Sequence, residues 1–235
     1  MFGETHDIEL GQLQWDKEAL KRQSALQTLI KETSKQTSID IAPSPKLIRL
    51  EDKELYKYPF LYFAGSDKFD FKHPSKIKRL RRYLQHGGFL LVDSSDGVSG
   101  GPFDTSFRAL MDEVFPKEPL KTLKKDHVLF RTFFLAASVF GRLNLSPNIE
   151  VIERDKRLAV VYVKNDLGGA WMKNDLGDWS FDCTPGGKKQ RIGAFRLGIN
   201  ILMYALCLDY KEDQTHVDYI LKKRKWRPND GAQTK

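Results

Sequence analysis

The chain is poor in the residues that usually announce a chemistry. Only two cysteines occur among its 235 residues, Cys183 and Cys207. They show no C-x-x-C spacing and no disulfide framework. Cys207 falls in an apolar stretch where packing is expected, and Cys183 in a polar loop, where a plain free thiol is expected. The five histidines form no H-E-x-x-H pair. Neither G-x-G-x-x-G nor G-x-x-x-x-G-K-[ST] is present, which argues against the common zinc and nucleotide cradles. Asp178 to Asp182 alternates oxygen donors like a calcium loop, but Cys183 stands where glycine belongs and Lys189 where the closing glutamate belongs. No cofactor and no metal is therefore expected, a loose divalent site made by Asp93, Asp96 and Asp166 being the one metal alternative. The longest nearly apolar run, 197–208, contains Asn200 and is well short of the ~18–20 residues of a membrane span. The opening MFGETHDIEL has no basic head followed by an apolar stretch, so it does not read as a signal peptide. The expected compartment is periplasmic if an export signal has been trimmed and cytoplasmic otherwise.

What remains is an ordinary globular composition, 40% hydrophobic and 30% charged. The net charge of +8 invites a nucleic-acid reading. Its distribution weakens that reading, because residues 221–235 alone carry +5, through Lys222, Lys223, Arg224, Lys225, Arg227 and Lys235 against Asp230. Nucleic acid is not expected as a partner; the tail is expected to be solvated, with contact to an anionic surface as the lesser alternative.

Apolar patterning predicts alternating strands and helices. Ile8–Trp15 reads as a strand, 17–33 as an amphipathic helix with Asp16 as its cap, 38–50 as a short extended segment, and 58–66 as a buried strand. Ser75 opens a basic surface helix that Gly87 and Gly88 close, 89–93 is a second buried strand, and 107–115 is a helix ending at Pro116. Residues 149–166 read as two strands joined by a turn at 154–156, and 192–208 as a long buried helix. Strands apolar on both faces, separated by helices, imply a mainly parallel α/β sheet. One domain over 1–215 followed by a basic tail over 216–235 is expected.

In such sheets ligands bind beyond the carboxyl ends of the strands. Three ends combine glycine with polar residues: FAGS at 63–66, VDSSDG at 92–97 and VKNDLGG at 163–169. Asp93-Ser94-Ser95-Asp96-Gly97 is close to the strand-to-turn elbow that exposes a nucleophile, with Asp93 bulkier than the small residue the elbow prefers. His127 is the one histidine in a plausible site loop, and Trp15 a further candidate there. The pentapeptide KNDLG occurs twice, at 164–168 and 173–177. Asn first and Gly fourth fit a type I turn in both copies.

The motifs YPFLYFAGS, YLQHGGFLLVDSSDG, SFRALMDEVFP, DHVLF, RLAVVYVKNDLGGAW and FRLGINILMYAL, in this order over 8–210, resemble the uncharacterised bacterial family catalogued as domain of unknown function 4159. The resemblance implies a three-layer flavodoxin-like fold similar to class I glutamine amidotransferases and trehalose-utilisation-like domains, with helices on both faces of a mainly parallel sheet. It places Ser95 where an amidotransferase has its nucleophilic cysteine, and Lys164-Asn165-Asp166 where its histidine and glutamate would stand. Cysteine and histidine are both missing there, so glutamine hydrolysis is not expected. The first expectation is a noncatalytic or divergent domain that binds a small polar ligand or protein partner through Gly65, Asp93, Ser95, Asp96, Asn165, Asp166 and Trp171, the tryptophan either stacking on a sugar or closing a loop. The alternative is a hydrolase in which Ser95 attacks and His127 is the base.

Overall fold

A computed structural model describes residues 8–15, 22–71 and 73–207. Seven strands form one sheet in the order β2-β1-β3-β4-β7-β6-β5. Their ranges are β1 Gly11–Leu13, β2 Lys46–Ile48, β3 Phe60–Gly65, β4 Phe89–Ser94, β5 Lys121–Thr122, β6 Glu150–Arg154 and β7 Arg157–Val163. The pairs β1–β2, β1–β3, β3–β4 and β4–β7 are parallel, and β6 joins both β7 and β5 antiparallel. The helices are α1 Gln23–Gln36, α2 Pro74–Gln85, α3 Pro102–Val114, α4 Leu167–Trp171 and α5 Gly187–Cys207.

The central strands are mostly apolar because both faces are covered. Along β3, Phe60, Tyr62 and Ala64 point into one core with Leu26, Leu29 and Leu197 from α1 and α5. Leu61 and Phe63 point into a second core with Leu80, Leu84, Phe103 and Phe107 from α2 and α3. This alternation is the two-residue period of a strand, read with a helical layer on each side. The fold is therefore an α/β sheet with helices, as the patterning implied.

Several boundaries differ from expectation for local reasons. The first helix runs to Gln36 rather than 33; its expected cap, Asp16, lies outside the described residues. Helix α2 begins at Pro74, whose missing N–H costs nothing in a first turn, and stops where Gly87 takes a φ of 102°. Helix α3 likewise starts on a proline, Pro102, five residues before the predicted start. The turn between β6 and β7 is built from Asp155 and Lys156, both at positive φ, the geometry of a tight hairpin. Helix α5 starts at Gly187, so its polar first turn, which reads as loop, is helical. The tail from 216 and its basic residues fall outside the described residues.

Residues 132–149 have almost no regular structure; two buried asparagines hold their ends, and Gln190 and Asp166 hold their middle at Gly141 and Arg142. Asn200, the polar residue inside the apolar run of α5, accepts from the N–H groups of Phe133 and Phe134 (3.2 and 2.7 Å) and donates to the Phe134 carbonyl (2.8 Å). Asn165, just past β7, holds the other end of the segment, as described next.

Candidate functional site

Strands β4 and β7 are neighbours, with Asp93 level with Val163, so their exits bring Asp93–Asp96 and Lys164–Asp166 together. Asp93 is fully buried. Its Oδ1 accepts from the Leu167 N–H at 2.8 Å; its Oδ2 accepts from the Gly168 N–H at 2.7 Å and the Tyr62 hydroxyl at 2.8 Å. Burial first, and then the neighbouring Asp166 carboxylate, push the Asp93 carboxyl up to about 7 against the pull of those donors and of Arg22. Burial and Asp93 together hold the Tyr62 hydroxyl well above its ordinary range. A side chain at Gly168 would run into the Tyr62 hydroxyl, which is why a small residue follows Leu167 here.

Asp166 is also fully buried. It sits at φ 53° and ψ 67°, a left-handed conformation that aspartate tolerates better than most residues, and its carboxylate caps α4 through the Gly169 N–H at 2.9 Å. Two guanidinium groups close on it: Arg142 through Nε, and Arg22 at 3.2 Å. The ring of Phe181 lies 5.2 Å from the Arg22 guanidinium carbon and 5.3 Å from that of Arg142. Arg142 also reaches the Ser95 carbonyl at 3.2 Å. The first KNDLG copy is thus a left-handed helix cap, not the expected type I turn. The second copy does make a turn: Gly177 N–H donates to the Asn174 carbonyl at 3.0 Å, and Gly177 has a φ of 86°.

Asn165 spends its whole amide on structure. Its Nδ2 donates to the carbonyls of Val139 and Ser146, both at 2.6 Å, and its Oδ1 accepts from the N–H groups of Leu145 (3.0 Å) and Ser146 (2.8 Å). Asp96 accepts from the Ser94 hydroxyl at 2.7 Å and the Val98 N–H at 3.2 Å, a local turn. Gly65 has no room for a ligand: a Cβ there would lie 2.7 Å from Phe103 and 2.8 Å from Trp15. Trp15 itself packs against Phe63 and Phe69.

Two expectations are corrected. Trp171 is fully buried and donates to the Ala194 carbonyl at 3.1 Å, so it packs α4 onto α5 and offers no face to a sugar. His127 lies at the wrong end of the sheet to serve Ser95. Its ring is 5.6 Å from that of Tyr204, whose hydroxyl accepts from the Leu158 N–H near the start of β7. Ser95 follows the end of β4, level with the end of β7; at ~3.3 Å per residue the five steps from Leu158 to Val163 alone put roughly 16 Å between the two ends. His127 Nδ1 instead accepts from the Leu129 N–H at 3.1 Å, and burial lowers its pKa. The Ser95 hydroxyl is buried and has no hydrogen-bond partner among the described residues. Cys183, expected in a polar loop, is buried, and desolvation raises its thiol pKa. Among the described residues no three His, Cys, Asp or Glu side chains cluster as metal ligands, so Asp93, Asp96 and Asp166 are not drawn together as a three-carboxylate set. No described helix is long and apolar enough to cross a membrane.

Sequence reasoning missed Tyr62, Arg22, Arg142 and Phe181. The signal available was indirect: two carboxylates at adjacent strand ends require cations nearby. Beside this cluster, and sharing the 173–183 segment with it, lies an open groove of about 1230 Å³ between α1 and α5. Lys173, Trp179, Asp182 and Cys183 form one end, and Ile192, Phe195 and Ile199 are its apolar residues on α5. Trp179 is 43% exposed, with Lys173 Nζ 4.6 Å and the Arg191 guanidinium carbon 4.3 Å from its ring centre.

The model of the family described as domain of unknown function (DUF4159) matches residues 7–206. The chain belongs to that family. Among curated proteins no match to the chain was found.

Proposed function

We propose that this DUF4159 chain is a noncatalytic, amidotransferase-like domain that works by binding a small polar ligand or a protein partner beside the carboxyl ends of its parallel strands. The observation that carries the reading is the Arg22–Asp166–Arg142 cluster. Asp166 belongs to the Lys164-Asn165-Asp166 stretch that the resemblance puts where an amidotransferase has its histidine and glutamate, and its carboxylate is already committed to two guanidinium groups and a helix cap. Such a carboxylate is a structural clamp rather than a proton shuttle. Ser95, in the nucleophile's place, is not served by His127, which is at the far end of the sheet. The order β2-β1-β3-β4-β7 of the parallel strands supports a flavodoxin-like, three-layer arrangement. The groove next to the cluster is large enough to receive a ligand, which supports binding as the activity.

A thermal-shift screen over sugars, sugar phosphates, nucleotides, dicarboxylates and peptides tests this. A specific ligand present well above its dissociation constant should raise Tm by a few degrees and be recovered unchanged. The noncatalytic reading fails if the ligand is converted and Ser95→Ala abolishes the conversion.

A further inference from the structure

We infer that the groove between α1 and α5 is a docking site for an acidic amphipathic helix of a partner protein. This rests on the binding reading above and names the class of partner. Three properties of the groove point the same way.

The first is shape. Its wall on α1 runs from Ser24 to Gln36 and its wall on α5 from Gly187 to Ile199. Twelve helical steps of ~1.5 Å make each wall about 18 Å long. Ser24 and the start of α5 both meet the 170–187 segment, because the Ser24 hydroxyl donates to the Lys173 carbonyl and Arg191 reaches the Ala170 carbonyl. The two helices therefore set out from the same end and form a trough. A volume of about 1230 Å³ exceeds the ~300–1,000 Å³ typical of small-molecule sites, while a trough of this length matches about three turns of a docked helix.

The second property is charge. Six cations line it, Lys31, Lys35, Lys173, Lys188, Arg191 and Arg196, against three acidic residues. Arg191 is buried, its guanidinium on the Ala170 and Phe181 carbonyls; the cations left for a partner are Lys31 and Lys35 on one wall, Lys188 and Arg196 on the other, and Lys173 at the end. One of the six, Lys35, shares its charge with Glu32 at 3.6 Å. The third property is the apolar surface between the charges: Ile192 is 45% exposed and Trp179 43% exposed. An apolar residue is left in water on a helix whose inner face is already filled. A partner with acidic residues on its flanks and leucine or phenylalanine on its seam complements both features, whereas a nucleic acid would use the charge and leave Ile192 wet.

The test uses the full chain and a fluorescein-labelled peptide of about twelve residues, with Glu and Asp flanking a Leu/Phe seam, read by fluorescence anisotropy. Micromolar binding is expected, falling at least tenfold when exposed Lys31, Lys35 and Lys188 are all changed to Glu, and falling again with Ile192→Asp. Far-UV circular dichroism and Tm of these surface variants should match the parent, which separates lost docking from lost folding. The same peptide with Lys in place of its acids should not bind. Equal binding of a single-stranded RNA of the same charge, or of the acidic peptide to the Lys31→Glu/Lys35→Glu/Lys188→Glu variant, overturns the inference. If the peptide fails to bind while a small molecule from the screen does, the partner assignment falls and the binding reading stands; if neither binds, both fall.

Discussion

Replacing Asp93 by Asn isolates the energetic consequence of burying that carboxyl. Its pKa rises from 3.8 in the ordinary state to about 7 in the fold. Between those values the folded protein holds a proton that the unfolded chain has released. The stability contributed by this group is therefore fully present below pH ~4 and is lost as pH rises through 7. Each pH unit in that window is worth about 1.4 kcal/mol, and roughly two such units lie between pH 5 and pH 7. The parent should lose about 3 kcal/mol from this source between pH 5 and pH 8, a loss that Asp93→Asn does not share. The variant carries a separate, pH-independent cost. Whichever way the amide turns, its NH₂ faces either the Leu167 or the Gly168 N–H, leaving a buried donor unpaired at about 1–3 kcal/mol. Urea unfolding of both proteins at pH 5 and pH 8 gives the double difference, in which titrating groups remote from Asp93 cancel. The variant should gain on the parent by about 3 kcal/mol on going to pH 8. Curves that stay parallel to within ~0.5 kcal/mol would refute the idea that Asp93 holds its proton in the fold.

Asp166→Ala should cost about 2–4 kcal/mol in urea unfolding, since it unpairs two half-shielded arginines, uncaps α4 and puts alanine at a positive φ. Asp166→Asn should recover part of that loss by keeping the cap and the backbone tolerance. Ser95→Ala should leave stability within about 1 kcal/mol of the parent, because the deleted hydroxyl has no partner among the described residues; a larger loss in calorimetry would show that it is bonded. A Cβ at Gly141 would collide with the Asn165 carbonyl, so Gly141→Ala should destabilise by about 1–3 kcal/mol and lower Tm accordingly.

The strands were legible because burial on both faces makes β3, and β4 as far as Val92, runs of apolar residues, and few other structures produce such short runs. The family resemblance also read correctly, since it rested on the order of these runs. Helix starts at Pro102 and Gly187 were hidden because their first turns are polar, glycine-rich or proline-led, the same composition as loop. The site was half legible. Asp93 and Asp166 stood out as acids at strand exits, but their roles are set by partners far away in sequence: Tyr62 for one, Arg22 and Arg142 for the other. The two KNDLG copies show the limit most clearly. The same five residues cap a buried helix at 164–168 and turn a surface loop at 173–177, because only the first has Arg142 and the end of β4 pressed against it.

The pair of asparagines that hold residues 132–149 gives that segment its own mode of opening. Its ends are tied to α5 by Asn200 and to the exit of β7 by Asn165, with few ladder bonds between. Releasing either amide frees several backbone groups at once while the sheet stays intact. In native-state hydrogen exchange, the amides of Phe133 and Phe134 should exchange as one group and those of Leu145 and Ser146 as another, both ahead of β3 and β4. The segment is a strap with two amide buckles, and Asn165→Ala would open the one at 145–146 while Arg142 stays tied to Asp166 and Gln190.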